Sequence, residues 1–174
     1  MKSWGKLFIV ILISVILCPA YTSADDSEIS RATLSGLKNI YVIVENTQPN
    51  IRKYAQKAGL STMQMKKDIE NYLNASGIRT ISRDEWLKAP GRPALYVNIN
   101  THEVEKYMYA YDIKYELRQV VSLEVNPKVK TLADTWSINI TGVANIGNLN
   151  VIKKDAAVLL ERFIQAYNSV NRRN

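Results

Sequence analysis

Cysteine and histidine are nearly missing from this chain: there is one of each, Cys18 and His102, in 174 residues. Cys18 closes an N-terminal apolar run, so the folded part has no thiol to act as nucleophile or metal ligand. A Ser-His-Asp triad would have to recruit His102, and no nucleophile-elbow pattern supplies a serine for it. His102 stands in "NTHEVEKY" beside Glu103 and Glu105, and adjacent residues in a hairpin loop lack the convergence of a dedicated metal site. A solvated loop is the expectation there. Glycine is also scarce, at seven residues, and Gly142 and Gly147 in "GVANIGN" are too far apart to cradle a phosphate. The close acidic pairs, Asp84 with Glu85 and Glu103 with Glu105, are sequence neighbours, whereas glycosidase carboxyls face each other across a cleft. These shortages predict a non-enzymatic chain that needs no cofactor and no metal.

The N-terminus has a definite pattern. In "MKSWGKLFIVILISVILCPAYTSA", Lys2 and Lys6 precede an unbroken apolar run from Leu7 to Cys18, then come small residues and the acidic pair Asp25 and Asp26. That is the three-part layout of a secretory signal over residues 1–24. A membrane span needs about 20 apolar residues, and this run stops at Pro19. No stable transmembrane anchor is therefore expected after signal removal. Cys18 also raises a lipoprotein reading, against which Leu17 stands where a small residue is wanted. Removing residues 1–24 takes two of 23 basic residues and none of 16 acidic ones, leaving a net charge of +5. This excess is spread along the chain, so no nucleic-acid partner is expected. The localisation read from these features is periplasmic or secreted, and the fold must rest on its hydrophobic core without disulfides.

Periodicity then divides the chain. Residues 25–35, "DDSEISRATLS", read as a short flexible lead-in, and residues 36–174 as one α+β domain. "NIYVIVE" reads as a strand with both faces covered, and "NTQPNIRKYAQKAG" as a loop. Ser61 and Gln64 have capping-box spacing ahead of a helix with Met65, Ile69, Tyr72 and Leu73 on one face and Gly77 at its end. "IRTIS" follows as a second strand of a parallel crossover, and Ser82 with Glu85 caps a short turn carrying Trp86 and Leu87. "ALYVNIN", "YMYAYDIKYELRQVVSLE" and "KTLADTWSINITGVANI" form an antiparallel meander with one packed side. In the last of these, Leu132, Trp136, Ile138 and Ile140 share a face to which Asp134 is an exception. Leu149 to Val170 is an amphipathic helix through Ile152, Ala156, Leu159, Phe163, Tyr167 and Val170. The sum is an α+β two-layer sandwich: a mixed sheet of about five strands packed by two helices.

The middle strand carries a tyrosine at nearly every second place, and the aliphatic residues after them continue in the same register. Such a stripe is either core with amphipathic rings at the water boundary or a stacking surface for a partner or a sugar polymer. Tyr107, Tyr109 and Tyr111 lie farthest from the aliphatic part and are the candidate binding residues, with Trp86. Trp136 reads as core, and Trp86 as a plug at the sheet's end or a contact surface.

"LKNIYVIVE", "LSTMQMKKDIENYLNASGIRTIS", "ALYVNINT" and "DAAVLLERFIQAYNSVN", in that order, resemble small periplasmic α+β domains of bacterial envelope machinery. Those named are the N-terminal domain of the Tol-Pal translocation protein B and the periplasmic domain of the curli secretion-pore lipoprotein. The resemblance implies an interaction module without catalytic residues. The expected function is a binding or assembly module that contacts another cell-envelope protein or self-associates, through a sheet edge or the tyrosine-bearing end. The alternative is an envelope polysaccharide- or peptidoglycan-binding protein that uses surface aromatics on a glycan.

Overall fold

The computed structural model describes residues 26–171; the expected signal at 1–24 and the lipidation question at Cys18 lie outside the described residues. The elements run α1 (Glu28–Ala32), β1 (Tyr41–Val44), α2 (Pro49–Ala55), α3 (Thr62–Ala75), α4 (Arg83–Lys88), β2 (Ala94–Glu105), β3 (Met108–Ser122), β4 (Lys130–Asn145) and α5 (Asn150–Asn171). The strands form one mixed sheet in the order β1-β2-β3-β4. β1 is parallel to β2, and the other two pairings are antiparallel.

The architecture is α+β with four strands rather than five. The expected strand at Ile78–Ser82 shrinks to one parallel bridge between Thr80 and Ile40. Ile40 N–H donates to Arg79 O at 3.0 Å and Ile81 N–H to Ile40 O at 3.1 Å. Ser82 then caps α4 and ends the extended run: its hydroxyl accepts from Glu85 N–H at 3.3 Å while Glu85 accepts from Ser82 N–H at 2.8 Å. The capping box that starts the helix is thus what stops the strand. The loop expected after β1 contains α2, where Pro49 opens the first turn and Ile51 and Ala55, four residues apart, are buried.

One face of the sheet is dry. Leu95 and Val97 of β2, Ile113, Tyr115 and Leu117 of β3, and Trp136 and Ile138 of β4 are all fully or almost fully buried on it. α5 lies against β3 and β4 and sends Ile152, Ala156, Leu159 and Phe163 into that layer. Trp136 meets Phe163 edge to face with ring centres 5.3 Å apart. α3 adds Met65, Ile69 and Leu73 over β1. Each such aliphatic or aromatic side chain contributes about 1.5–3 kcal/mol, enough together for a core without disulfides.

Among the described residues the other face carries no long helix. Only Val42 of β1 is buried, so the expected covering of both faces is corrected: Tyr41 and Ile43 look onto this outer side and are half-buried. At its centre Glu116 is 6% exposed, wrapped by Lys114, Arg118 and the Tyr96 ring, over which the Arg118 guanidinium stacks at 4.1 Å. Arg118 also makes a two-pronged contact with Asp134 at 2.8 and 3.1 Å. A register shift between Leu117 and Arg118, which pairs Leu117 with Trp136 and Arg118 with Asp134, leaves Thr135 as the extra residue. Asp134 and Leu132 therefore move to the outer face, and Leu132 is exposed rather than core.

Residues 26–35, read from sequence as a flexible lead-in, hold α1 and dock on the domain. Leu34 is fully buried, Asp26 accepts from Trp136 Nε1, and Thr33 Oγ1, which donates to Ser30 O at 2.7 Å, lies 3.3 Å from Thr135 O.

Candidate binding surface

The candidate tyrosines separate sharply. Tyr109 and Tyr111 are 2% and 5% exposed, so neither presents a ring to a partner; the two belong to the core. Tyr109 donates to Asn50 O at 3.4 Å and Tyr111 to Asp155 Oδ2 at 2.5 Å, which anchors β3 to α2 and α5. Burial first, then the Asp155 hydrogen bond and charge, pushes the Tyr111 hydroxyl far above the usual tyrosine range. Room for that ring comes from Gly142, directly across in β4: a Cβ there would fall inside the Tyr111 hydroxyl and ring. Tyr107 is the exception. It sits in the β2–β3 turn at a φ of +69°, with 46% of its surface exposed. A left-handed conformation costs a bulky residue about 1–2 kcal/mol.

Trp86 is half-buried on the outer side of β1. Its ring lies 5.3 Å from Tyr41, and Nε1 donates to Arg92 O at 2.7 Å. Leu87 beside it is 43% exposed, so the pair does not plug the sheet's end as expected. Trp86 flanks the start of β2 and Tyr107 follows its end, so the whole 12-residue strand, at about 3.3 Å per residue, lies between them. They do not form one platform.

His102, Glu103 and Glu105 lie within β2 and not in a loop, paired with Ala110, Tyr109 and Met108. His102 and Glu103, as neighbours in a strand, point to opposite faces. Asp84 is exposed, and Glu85 is committed to the Ser82 cap and to Arg79 at 3.0 Å. Among the described residues no three His, Cys, Asp or Glu side chains converge as a metal group would require. None of their helices is long and apolar enough to cross a membrane.

The surface that sequence reasoning left unplaced is the free edge of β4. Among the described residues β4 has one strand neighbour, β3, and no strand on its other side. The first half is partly shielded by α1 through Thr33 and by the Asp26–Trp136 contact. From Ile138 to Ala144 no backbone group bonds to anything beyond β3 among the described residues. From Thr135 to Asn145 the strand carries no charge and no proline, in a chain where 22% of residues are charged. Soluble proteins guard such edges with lysines, prolines or short strands. Here those guards are missing, and Val143 stands 57% exposed on this strand, two residues from Asn145, which pairs with the exposed Met108.

No family model matches the chain. No curated protein matches it either. Among solved structures, the crystal structure of a minor lipoprotein from Acinetobacter baumannii pairs with 80% of this chain and 98% of its own at 7% identity and a TM-score of 0.28. So loose a pairing carries no argument about fold or role. The resemblances to the Tol-Pal translocation protein B and the curli lipoprotein are not confirmed by these comparisons.

Proposed function

We propose that the chain is a periplasmic or secreted, non-enzymatic binding or assembly module that contacts another cell-envelope protein by strand addition along Ile138–Ala144 of β4. The unguarded edge carries this reading. An extended segment laid against it would gain main-chain hydrogen bonds without any special residue type, and alternate side chains would meet the outer face. The N-terminal signal pattern supports the compartment, and the exposed Tyr107, Val104, Met108 and Val143 supply apolar area beside the edge.

The test places photo-crosslinking residues in turn at Thr141 and Val143, with Ser122 on β3 as control, in cells that secrete the chain. Capture of one defined envelope protein from the β4 positions but not from Ser122 is expected. The double variant Thr141→Lys, Val143→Lys adds guarding charges at exposed outer-face sites, where stability should change by less than about 0.5 kcal/mol each. It should lose the captured partner. Equal capture from both strands, or undiminished capture by the double variant, rejects strand addition. Adducts of twice the chain's own mass would make the partner a second copy.

The glycan reading retains one supporting observation, the Tyr41–Trp86 ring pair with Lys66 4.5 Å over Tyr41. A Trp86 fluorescence signal, defined by subtraction of Trp86→Phe, that stays unchanged with peptidoglycan fragments removes it.

A further inference from the structure

A second surface is independent of the β4 edge. α3 and α5 do not close against each other along their full length: between them lies a cavity of about 270 Å³ walled by Met65, Ile69 and Tyr72 on one side and Ala156, Val158 and Leu160 on the other. Sequence periodicity puts Tyr72 on the buried face of α3, yet it is 49% exposed, as Val158 is at 48%, because each borders this opening. The floor is Tyr115 of β3, whose side chain is 1% exposed. No hydrogen bond from the described residues reaches its hydroxyl, although every other inner-face tyrosine hydroxyl of β3 has a protein partner. Among the described residues no sealed side-chain polar atom lacks a partner, and Tyr115 lines the cavity, so its unpartnered hydroxyl faces that opening. A buried phenol that finds nothing to bond in its own protein calls for a polar atom from outside, an ordered water or a ligand's oxygen.

We infer that this groove binds a small neutral amphiphile: an apolar body with one hydroxyl or carbonyl oxygen that meets the Tyr115 hydroxyl at the floor. Size and charge select that class. The volume lies just below the roughly 300–1,000 Å³ of drug-sized ligand pockets, so the occupant is on the scale of one ring or a short chain. At the rim Asp68 and Lys153 neutralise each other at 3.1 Å, which leaves Glu161 as the excess charge and disfavours a carboxylate. Burial holds the Tyr115 hydroxyl protonated, so it can donate to a carbonyl or exchange bonds with a hydroxyl.

Methyl NMR titrations with p-cresol, toluene and 4-methylbenzoate, which share a body and differ in the polar atom, test the inference on the whole mature chain. Saturable shifts at Met65, Ile69 and Leu160 are expected, with p-cresol tighter than toluene by about tenfold and 4-methylbenzoate weaker than p-cresol. Tyr115→Phe should bring p-cresol and toluene to equal affinity. Ala157→Leu, at an exposed position on α5 that lines the groove, should weaken both and keeps the test open if Tyr115→Phe does not fold. No saturable shift with any of the three overturns the inference. So does a p-cresol preference unchanged in Tyr115→Phe, or affinities unchanged in Ala157→Leu.

Discussion

Asp26 accepts from Arg31 through two bonds of 2.6 Å and from Trp136 Nε1 at 2.9 Å, with Arg162 of α5 3.9 Å away. One carboxylate therefore ties the start of the described chain to α1, β4 and α5. Desolvation is the largest single influence on it and pushes its pKa up, but the bonds from Arg31 and Trp136 and the charges of Arg31 and Arg162 together hold it below its ordinary 3.8. A depressed folded-state pKa adds stability that is complete above the unfolded value and disappears as pH falls through the folded one. Asp26→Asn should cost about 2 kcal/mol at pH 7, since hydrogen bonds to a charged group are the strong kind. In urea titrations that difference should hold from pH 7 to about pH 5 and shrink below the ordinary 3.8. A difference just as large at pH 2.5 would mean that packing around Trp136, and not the charge, holds the segment. Arg31 lies within "DDSEISRATLS" itself, but nothing there announces an anchor, because the partners that tie it to the domain, Trp136 and Arg162, lie 110 and more residues away in sequence. Tyr111 was only half legible: its place in an alternating stripe left core and binding surface both open and made it a candidate binding residue, and its spacing could not reveal that Gly142 clears room for a buried ring.

At the scale of elements, what could be read depended on length. α3, α5 and the three meander strands repeat their pattern often enough for one face to be identified, and Ile152, Ala156, Leu159 and Phe163 lie buried as their spacing predicts. Of the short elements, β1 was legible from its composition and α4 from its Ser82–Glu85 cap, and the others escaped. α1 and α2 expose too few turns to show a period, and Ile78–Ser82 has strand composition but only Ile40 to pair with. Asp134, the one exception on an otherwise apolar face, was the visible trace of the bulge at Thr135, since a bulge inverts the alternation beyond it. α1 has a further role at this scale. It covers the β4 edge around Thr135 as a guard, so a chain starting at Gly36 loses Asp26, buried Leu34 and the Thr33 contact together. That truncated chain should keep its sheet signal in circular dichroism but self-associate at concentrations where the longer chain does not. A truncation that stays equally monomeric in light scattering would show that α1 packs the core without guarding the edge.

Over the whole molecule the sheet is lopsided: helices cover one face, a network of Lys114, Glu116, Arg118 and Asp134 wets the other, and the edge strand β4 is longer than any neighbour. Strand order decides which edge is free, and no alternation pattern encodes strand order; the meander was legible from alternation, but not the side on which it ends. Hydrogen exchange reads the outcome directly. In β3, flanked on both sides and facing the core, successive amides from Ile113 to Leu117 should all be strongly protected. Along Ile138–Ala144 of β4 only the amides that point to β3 have a partner, so protection should alternate residue by residue. The unpaired ones should exchange within about tenfold of free-peptide rates. Uniform protection along that stretch in the purified protein would mean that the edge is already covered. If the protection fades on dilution, a second copy covers it and the heterologous partner is the wrong occupant; if it persists on dilution, the edge is closed in the single chain and strand addition is rejected.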